Sequence, residues 1–261
     1  MKLNQQTIAQ LAELLENAEL QAHDVVKITD AHPEMDWDDA YAIQRYWAQL
    51  HTAQGAHIVG HKIGLTSRAM QMASNFFEPD FGHLLDTMLF ADGACIPATR
   101  FRKPRLEVEL SFVMGQDLKG ANVQIYDVLR ATEFIQPALE IIDYRTELPR
   151  QICDTIADNA ASGGMVIGAR TIRPFDVDLR WVGATLSLNG VIEETGLAAG
   201  VMGHPAAGVA WLVRKLNEVG EGLKAGQIVL VGSFTRPVAV KPGDVVHADY
   251  GQLGGIGVSF K

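Results

Sequence analysis

In the segment Arg105-Leu106-Glu107-Val108-Glu109-Leu110-Ser111-Phe112, apolar and polar residues alternate strictly, which is the period-two signature of a strand. Leu106, Val108, Leu110 and Phe112 share one face, and Arg105, Glu107, Glu109 and Ser111 the other. The two carboxylates then sit roughly 6–7 Å apart along the strand at its rise per residue. Such a pair is either the solvated side of an amphipathic strand or part of a site. Glu140 weighs on the second side, because it lies inside the apolar run Pro137-Ala138-Leu139-Glu140-Ile141-Ile142, where an unpaired carboxylate is costly to bury. An arginine would serve as its partner. A divalent cation held by Glu107, Glu109 and Glu140 would neutralise all three charges, and an all-carboxylate shell suits Mg2+ or Mn2+ better than zinc.

Lys62 lies between His61 and Ile63 in Gly60-His61-Lys62-Ile63-Gly64-Leu65-Thr66-Ser67. On a strand it either snorkels to solvent or, buried beside a metal, has its pKa lowered and handles protons. Glu78-Pro79-Asp80-Phe81-Gly82 is an acidic, turn-like segment. Asp158-Asn159-Ala160-Ala161-Ser162-Gly163-Gly164 offers small and polar side chains that suit backbone contact with a ligand, and equally an ordinary loop. Gly232-Ser233-Phe234-Thr235-Arg236-Pro237 adds an arginine able to bind a carboxylate. Of the eight histidines only His61 adjoins a candidate; His204, before Pro205, is taken as structural.

The elements that must position these residues differ along the chain. Ile8, Leu11, Leu15 and Ala18 recur at helical spacing, and Asp36 is a helix N-cap with Asp38 and Asp39 in the first turn. Pro33 separates these two helices, whose acidity is expected to be mostly solvated face. From about residue 57 short β-prone runs take over, among them 227–231, 237–240, 245–250 and 256–260, with a turn at Lys241-Pro242-Gly243-Asp244 and a helix around 206–219. Strands do not alternate regularly with helices, so the expected fold is α+β, with a mixed, mostly antiparallel β domain over 57–261 behind a helical subdomain over 1–56.

Net charge is −9 and no Lys/Arg cluster occurs, which argues against nucleic acid as a partner. Residues 1–60 hold three basic and nine acidic side chains, two-thirds of the excess. Cys95 and Cys153 are too few for a disulfide framework and fit a reducing, cytoplasmic setting. The N-terminus lacks the pattern of a signal peptide. Thr195–Val213 is uncharged apart from His204, but its four internal glycines at 196, 200, 203 and 208 and its His204-Pro205 pair predict a buried helix and loop, not a membrane span. The dinucleotide, phosphate-loop, serine-elbow and zincin motifs are absent.

Taken together, GHKIGLTSRAMQ (60–71), EPDFG (78–82), PRLEVEL (104–110), PALEIID (137–143), DTIADNAASGG (154–164) and GSFTRPV (232–238) resemble the hydratase/decarboxylase branch of the fumarylacetoacetate hydrolase superfamily, from the meta-cleavage degradation of aromatic compounds. The resemblance implies a β-roll or barrel, Mg2+ or Mn2+ bound by Glu107, Glu109 and Glu140, and Lys62 with Asp80 at the substrate. It also puts His61, Leu65, Ser162, Ser233 and Arg236 in substrate-binding blocks. The implied reaction is hydration of a 2-hydroxy-2,4-dienoate to a 4-hydroxy-2-oxo acid, with the dicarboxylate 2-oxohept-4-ene-1,7-dioate as the expected substrate. Decarboxylation of 2-oxo-3-hexenedioate and hydration of 2-oxopent-4-enoate are the alternatives. A homo-oligomer, and association with a companion hydratase or decarboxylase, are further implications.

Overall fold

The computed structural model describes residues 1–21 and 23–261. Helix α1 (Gln5–Gln21) buries Ile8, Leu11, Leu15 and Ala18, the stripe its spacing predicts. After the short α2 (Ile28–Ala31), α3 (Trp37–Ala53) starts at Asp36, whose carboxylate accepts from the Asp39 backbone N–H while Asp39 accepts from that of Asp36. Two acids depart from the expected solvated face. Asp39 is fully buried and also takes the backbone N–H groups of Lys2 and Leu3; Glu16 is buried 2.7 Å from His51 Nε2.

The rest of the chain forms strands β1 (Ile58–Gly64), β2 (Asp80–Leu85), β3 (Leu89–Ala91), β4 (Cys95–Ile96), β5 (Arg105–Met114), β6 (Thr132–Ile142), β7 (Ser162–Ile167), β8 (Gly183–Leu188), β9 (Val191–Leu197), β10 (Ile228–Leu230), β11 (Val238–Ala239), β12 (Val245–Asp249) and β13 (Gly255–Phe260), with helices α4 (Arg68–Ser74), α5 (Ile125–Ala131), α6 (Ile152–Ala157) and α7 (Pro205–Glu218) between them. The four strands and the helix expected in the C-terminal part are therefore present. Thr195–Val213 comprises the end of β9, a loop and half of α7, and no helix among the described residues is long and apolar enough to cross a membrane.

Two sheets result. The larger has the order β2-β1-β10-β5-β6-β7-β3 with β11 also paired to β5; the smaller has the order β4-β13-β12-β8-β9. Most pairs are antiparallel, and β1/β10, β3/β7 and β4/β13 are parallel. β5 and β6 form the long central ladder, whose register sets Glu107 opposite Glu140 and Glu109 opposite Ala138. Leu106, Val108, Leu110 and Phe112 are fully buried as expected, but so are Glu109 and Ser111 on the opposite face. The carboxylate face of β5 is an interior surface, and the solvated alternative for the Glu-x-Glu pair does not hold.

The helices share the sheets' core: Leu15, Ile43 and Trp47 belong to one continuous apolar cluster with Phe81, Leu106, Val209 and Phe260. A buried polar side chain also ties the layers together. Gln44, on α3 and fully buried, donates through Nε2 to the carbonyls of Phe81 on β2 and Ile156 on α6, each at 2.8 Å. Replacing it by an apolar residue strands both carbonyls in the core. Gln44→Leu is expected to lower the unfolding free energy by about 1–3 kcal/mol, measured by urea unfolding.

Candidate active site

The β5/β6 register places two like charges directly opposite each other, an arrangement that is destabilising unless something opposes it. Glu109 joins them from the next inward position of β5. One carboxylate oxygen from each of Glu107, Glu109 and Glu140 lies within 4.8 Å of the others. Glu109 and Glu140 have no solvent exposure, whereas Glu107 is half-buried and opens onto a cavity of about 190 Å³. Glu109 Oε2 accepts the Gly232 backbone N–H at 2.8 Å, but Glu109 Oε1 and Glu140 Oε2 receive no hydrogen bond from any protein N–H or hydroxyl. Gly232 has φ +108°, and a Cβ there would fall 2.1 Å from the Thr66 hydroxyl oxygen, so only glycine brings this N–H to the carboxylate.

The protein supplies one ammonium to the cluster. Lys62 Nζ lies 3.2 Å from Glu140 Oε1 and donates to the Ala160 carbonyl at 3.1 Å. Burial alone lowers the lysine pKa, but Glu140, Asp80, Glu107 and Glu109 outweigh it and hold the ammonium above its ordinary value. Burial and then Glu140 push Glu107 up to about 8, and burial with the neighbouring acids raises Glu109 well above the usual carboxylate range. Glu140 is raised as well, burial outweighing Lys62. Such groups share protons or accept a cation. The orphaned acceptors, the three converging oxygens and the all-oxygen donor set fit a hard divalent ion such as Mg2+ or Mn2+. A second acidic group, Glu16, Glu19 and His51, lies among the helices, but Arg145 Nη1 already sits 2.7 Å from Glu19.

Asp80 faces Lys62 across the β1/β2 pair. Its partner in register is Gly64, where a Cβ would fall 2.1 Å from Asp80 Oδ1. Among the described residues no side chain donates to that oxygen, and burial raises the Asp80 pKa against the opposing pull of Lys62, Arg150 and the Gly64 backbone N–H. The Ala160 carbonyl that holds Lys62 is displayed by three consecutive residues in the left-handed region, Asn159, Ala160 and Ala161, at φ 48°, 50° and 61°. Alanines are strained there. Asn159 fastens the run to β2, accepting the His83 backbone N–H at 2.8 Å and donating to the His83 carbonyl at 3.0 Å.

Of the other expected contacts, Leu65 and Ser233 line the cavity with Lys62, Asp80 and Glu107. Ser162 is fully buried at the start of β7, opposite Ile142, with its hydroxyl unpartnered, and does not line the cavity. Two expectations are corrected. His61 is the strand neighbour of Lys62 and so points to the opposite face of β1, packing 5.3 Å from the His83 ring and bordering a different cavity. Arg236 is on the surface, its side chain 82% exposed and paired with Glu194 at 2.7 Å. The arginine that lines the cavity is Arg150. Nothing in the local pattern of Leu148-Pro149-Arg150-Gln151 marks it, because its position depends on the packing of Tyr144 and Asp158 around it.

A family model described as fumarylacetoacetate (FAA) hydrolase C-terminal matches residues 53–260. The chain belongs to the fumarylacetoacetate hydrolase family. It is 51% identical to the 2-oxo-hept-4-ene-1,7-dioate hydratase of Escherichia coli over 257 residues, 96% of each chain. It is 38% identical to the 4-oxalocrotonate decarboxylase of Pseudomonas putida over 259 residues, 99% of this chain and 98% of that one. A structure of 4-oxalocrotonate decarboxylase from Pseudomonas putida G7, complexed with magnesium and adipate, superimposes with a TM-score of 0.97 at 36% identity, covering 100% of this chain and 99% of the other. The expected family and fold are thereby established.

The elevated carboxylates have a thermodynamic consequence. Glu107 titrates near 8 in the folded protein and near its ordinary 4.5 when unfolded, so between these values the folded state holds more protons. Its contribution to stability therefore falls as pH rises through that window and is level above it. The melting temperature of metal-free protein is expected to drop across this range; Glu107→Gln, and Mg2+ added to the native protein, should each flatten the drop. An undiminished slope in the variant overturns the assignment.

Proposed function

We propose that the chain is a divalent-metal-dependent lyase that hydrates a 2-hydroxy-2,4-dienoate, in the form of the dicarboxylate 2-oxohept-4-ene-1,7-dioate or its dienol, to a 4-hydroxy-2-oxo acid. The observation that carries this reading is the convergence of Glu107, Glu109 and Glu140, of which Glu107 lines one cavity together with Lys62 and Asp80. The greater identity to a hydratase than to a decarboxylase, each over nearly the full length, favours water addition over loss of carbon dioxide. Relatives on both branches act on small 2-oxo acids or their dienols, which fits a cavity of this size.

Mg2+ or Mn2+ held by the three glutamates supplies a Lewis acid for the enolate of a 2-oxo acid and offsets the glutamate charges. The remaining work falls to the chain. Ketonisation needs a proton delivered to C5 as the 2-hydroxyl loses one, and Lys62 Nζ, held by Glu140 and the Ala160 carbonyl, would give that proton and regain the one the 2-hydroxyl loses. The conjugated ketone then takes water at C4. Asp80, buried beside Lys62 on the same cavity, would accept the proton that water loses and return it to C3 to complete the product. Leu65 and Ser233 border the substrate. We extend this reading to self-association as a homo-oligomer, supported by Val191, Ile192 and Leu197, which lie exposed on the edge strand β9.

Purified protein with Mg2+ and 2-hydroxyhepta-2,4-dienedioate is expected to form a seven-carbon 4-hydroxy-2-oxo acid by mass spectrometry, without carbon dioxide. Release of carbon dioxide with no hydroxylated product assigns the chain to the decarboxylases instead. Lys62→Met should lower kcat about 10²–10⁴-fold while Mg2+ binding, followed by calorimetry, persists.

A further inference from the structure

We infer that Arg150 is the specificity-determining residue for a second, distal carboxylate on the substrate, so that the cavity selects dicarboxylic over monocarboxylic 2-oxo acids. This rests on the metal-dependent reading above and deepens it. Arg150 precedes α6, and its side chain is 12% exposed, all but enclosed yet lining the same cavity as Glu107, Lys62 and Asp80. Its guanidinium stacks on Tyr144 with 4.7 Å between Cζ and the ring centroid, which fixes the plane of the fork.

Its hydrogen bonding is incomplete. Among the described residues only Nη1 has protein acceptors, and both contacts are long: Thr146 Oγ1 at 3.3 Å and Asp158 Oδ2 at 3.4 Å. The nearby acid is already committed elsewhere. Asp158 Oδ1 takes the Arg145 Nε–H, and Oδ2 takes the backbone N–H groups of Arg145 and Thr146 and the Thr146 hydroxyl. Arg145 thus answers the charge of Asp158, leaving Nε and Nη2 of Arg150 without protein acceptors. A buried arginine with two free donors and a fixed plane is suited to a bidentate carboxylate.

Its position along the cavity suits the far end of a substrate. Glu107, Glu109 and Glu140 stand on β5 and β6 and Lys62 and Asp80 on β1 and β2, whereas Arg150 reaches the cavity from the loop before α6, held by Tyr144, Thr146 and Asp158. A 2-oxo acid placed with C1 and C2 at the glutamates extends its chain past Lys62 and Asp80 toward the guanidinium. Among the residues lining this cavity, only Lys62 and Arg150 are cationic, and Lys62 is engaged by Glu140.

The test uses saturated ligands that cannot be hydrated. Binding of 2-oxoheptanedioate and 2-oxopentanoate is measured by calorimetry with Mg2+ present, for the native protein, Arg150→Gln and Arg150→Lys. The native protein should prefer the dicarboxylate at least ~10-fold, Arg150→Gln should abolish that preference while still binding 2-oxopentanoate within threefold of native, and Arg150→Lys should retain part of it. Retained monocarboxylate binding shows that each variant is folded. A native protein that binds both acids with Mg2+ but without preference, or an Arg150→Gln protein that keeps the preference, overturns the role of Arg150 alone. Native binding that is indifferent to Mg2+ overturns the metal-dependent reading beneath it.

Discussion

Four carboxylates, Glu107, Glu109, Glu140 and Asp80, are gathered into the interior around a single ammonium. At interior dielectric an unmatched charge of this kind is strongly destabilising, and Lys62 can answer only part of it. The surrounding structure is arranged accordingly: Gly232 lends an N–H to Glu109, the Ala160 carbonyl fixes Lys62 against Glu140, and Gly64 leaves room for Asp80. The rest of the imbalance shows as pKa values displaced upward. A fold built for stability alone would place alanine or leucine at these positions. This imbalance supports the proposed cation site, because a divalent ion would remove the repulsion without adding bulk.

Around this centre lies a second, self-consistent ionic hub. Asp158 is completely buried and is met by Arg145, itself nearly enclosed, so this pair is satisfied inside the protein. It anchors the segment between β6 and α6 to the start of the left-handed run 159–161, and that run in turn presents Ala160 to Lys62. Breaking a satisfied buried pair leaves an uncompensated charge, so the hub sets the geometry of Lys62 from a distance. The two clusters differ in a way that separates structure from function. Asp158 has its charge and its hydrogen bonds answered by the chain, whereas the glutamates do not.

Much of this was legible in the sequence because alternation along a strand is a hard geometric rule. The pattern over 105–112 put Glu107 and Glu109 on one face correctly, and an acid inside the 137–142 run could only be a partnered one. The strand pattern did not show whether that face was wet, since burial of the second face depends on how the sheet curls and what covers it. Applied to Gly60–Gly64, the same rule separates His61 from Lys62, so adjacency in sequence was the misleading signal. Arg236 and Arg150 make the converse point. An arginine in a recognisable block finds a surface acid, Glu194, while an arginine in an unpatterned loop is carried to the cavity by Tyr144 and Asp158. Contacts made between loops and neighbouring elements leave no trace in a local residue pattern. The same limit explains Glu16 and Asp39, whose burial follows from the packing of α1 and the chain start onto α3, not from the helix pattern that placed the other acids in solvent.

The net charge of −9 would oppose a dianionic ligand if it were spread evenly. It is not. Six of the nine excess charges belong to residues 1–60, and several of those acids are matched by arginines from the segments between strands, Glu19 by Arg145 and Asp24 by Arg102. The cavity is a separate problem. Four acids face two cations there, and one of those cations is close to Asp158, so the protein groups alone leave it anionic and repel an incoming carboxylate. The two positive charges of a divalent ion on the glutamates would cancel that excess near the point where the ligand's own carboxylate would arrive. Under the proposed function the cation would thus govern ligand affinity as well as chemistry, and charge balance favours occupation by metal before substrate.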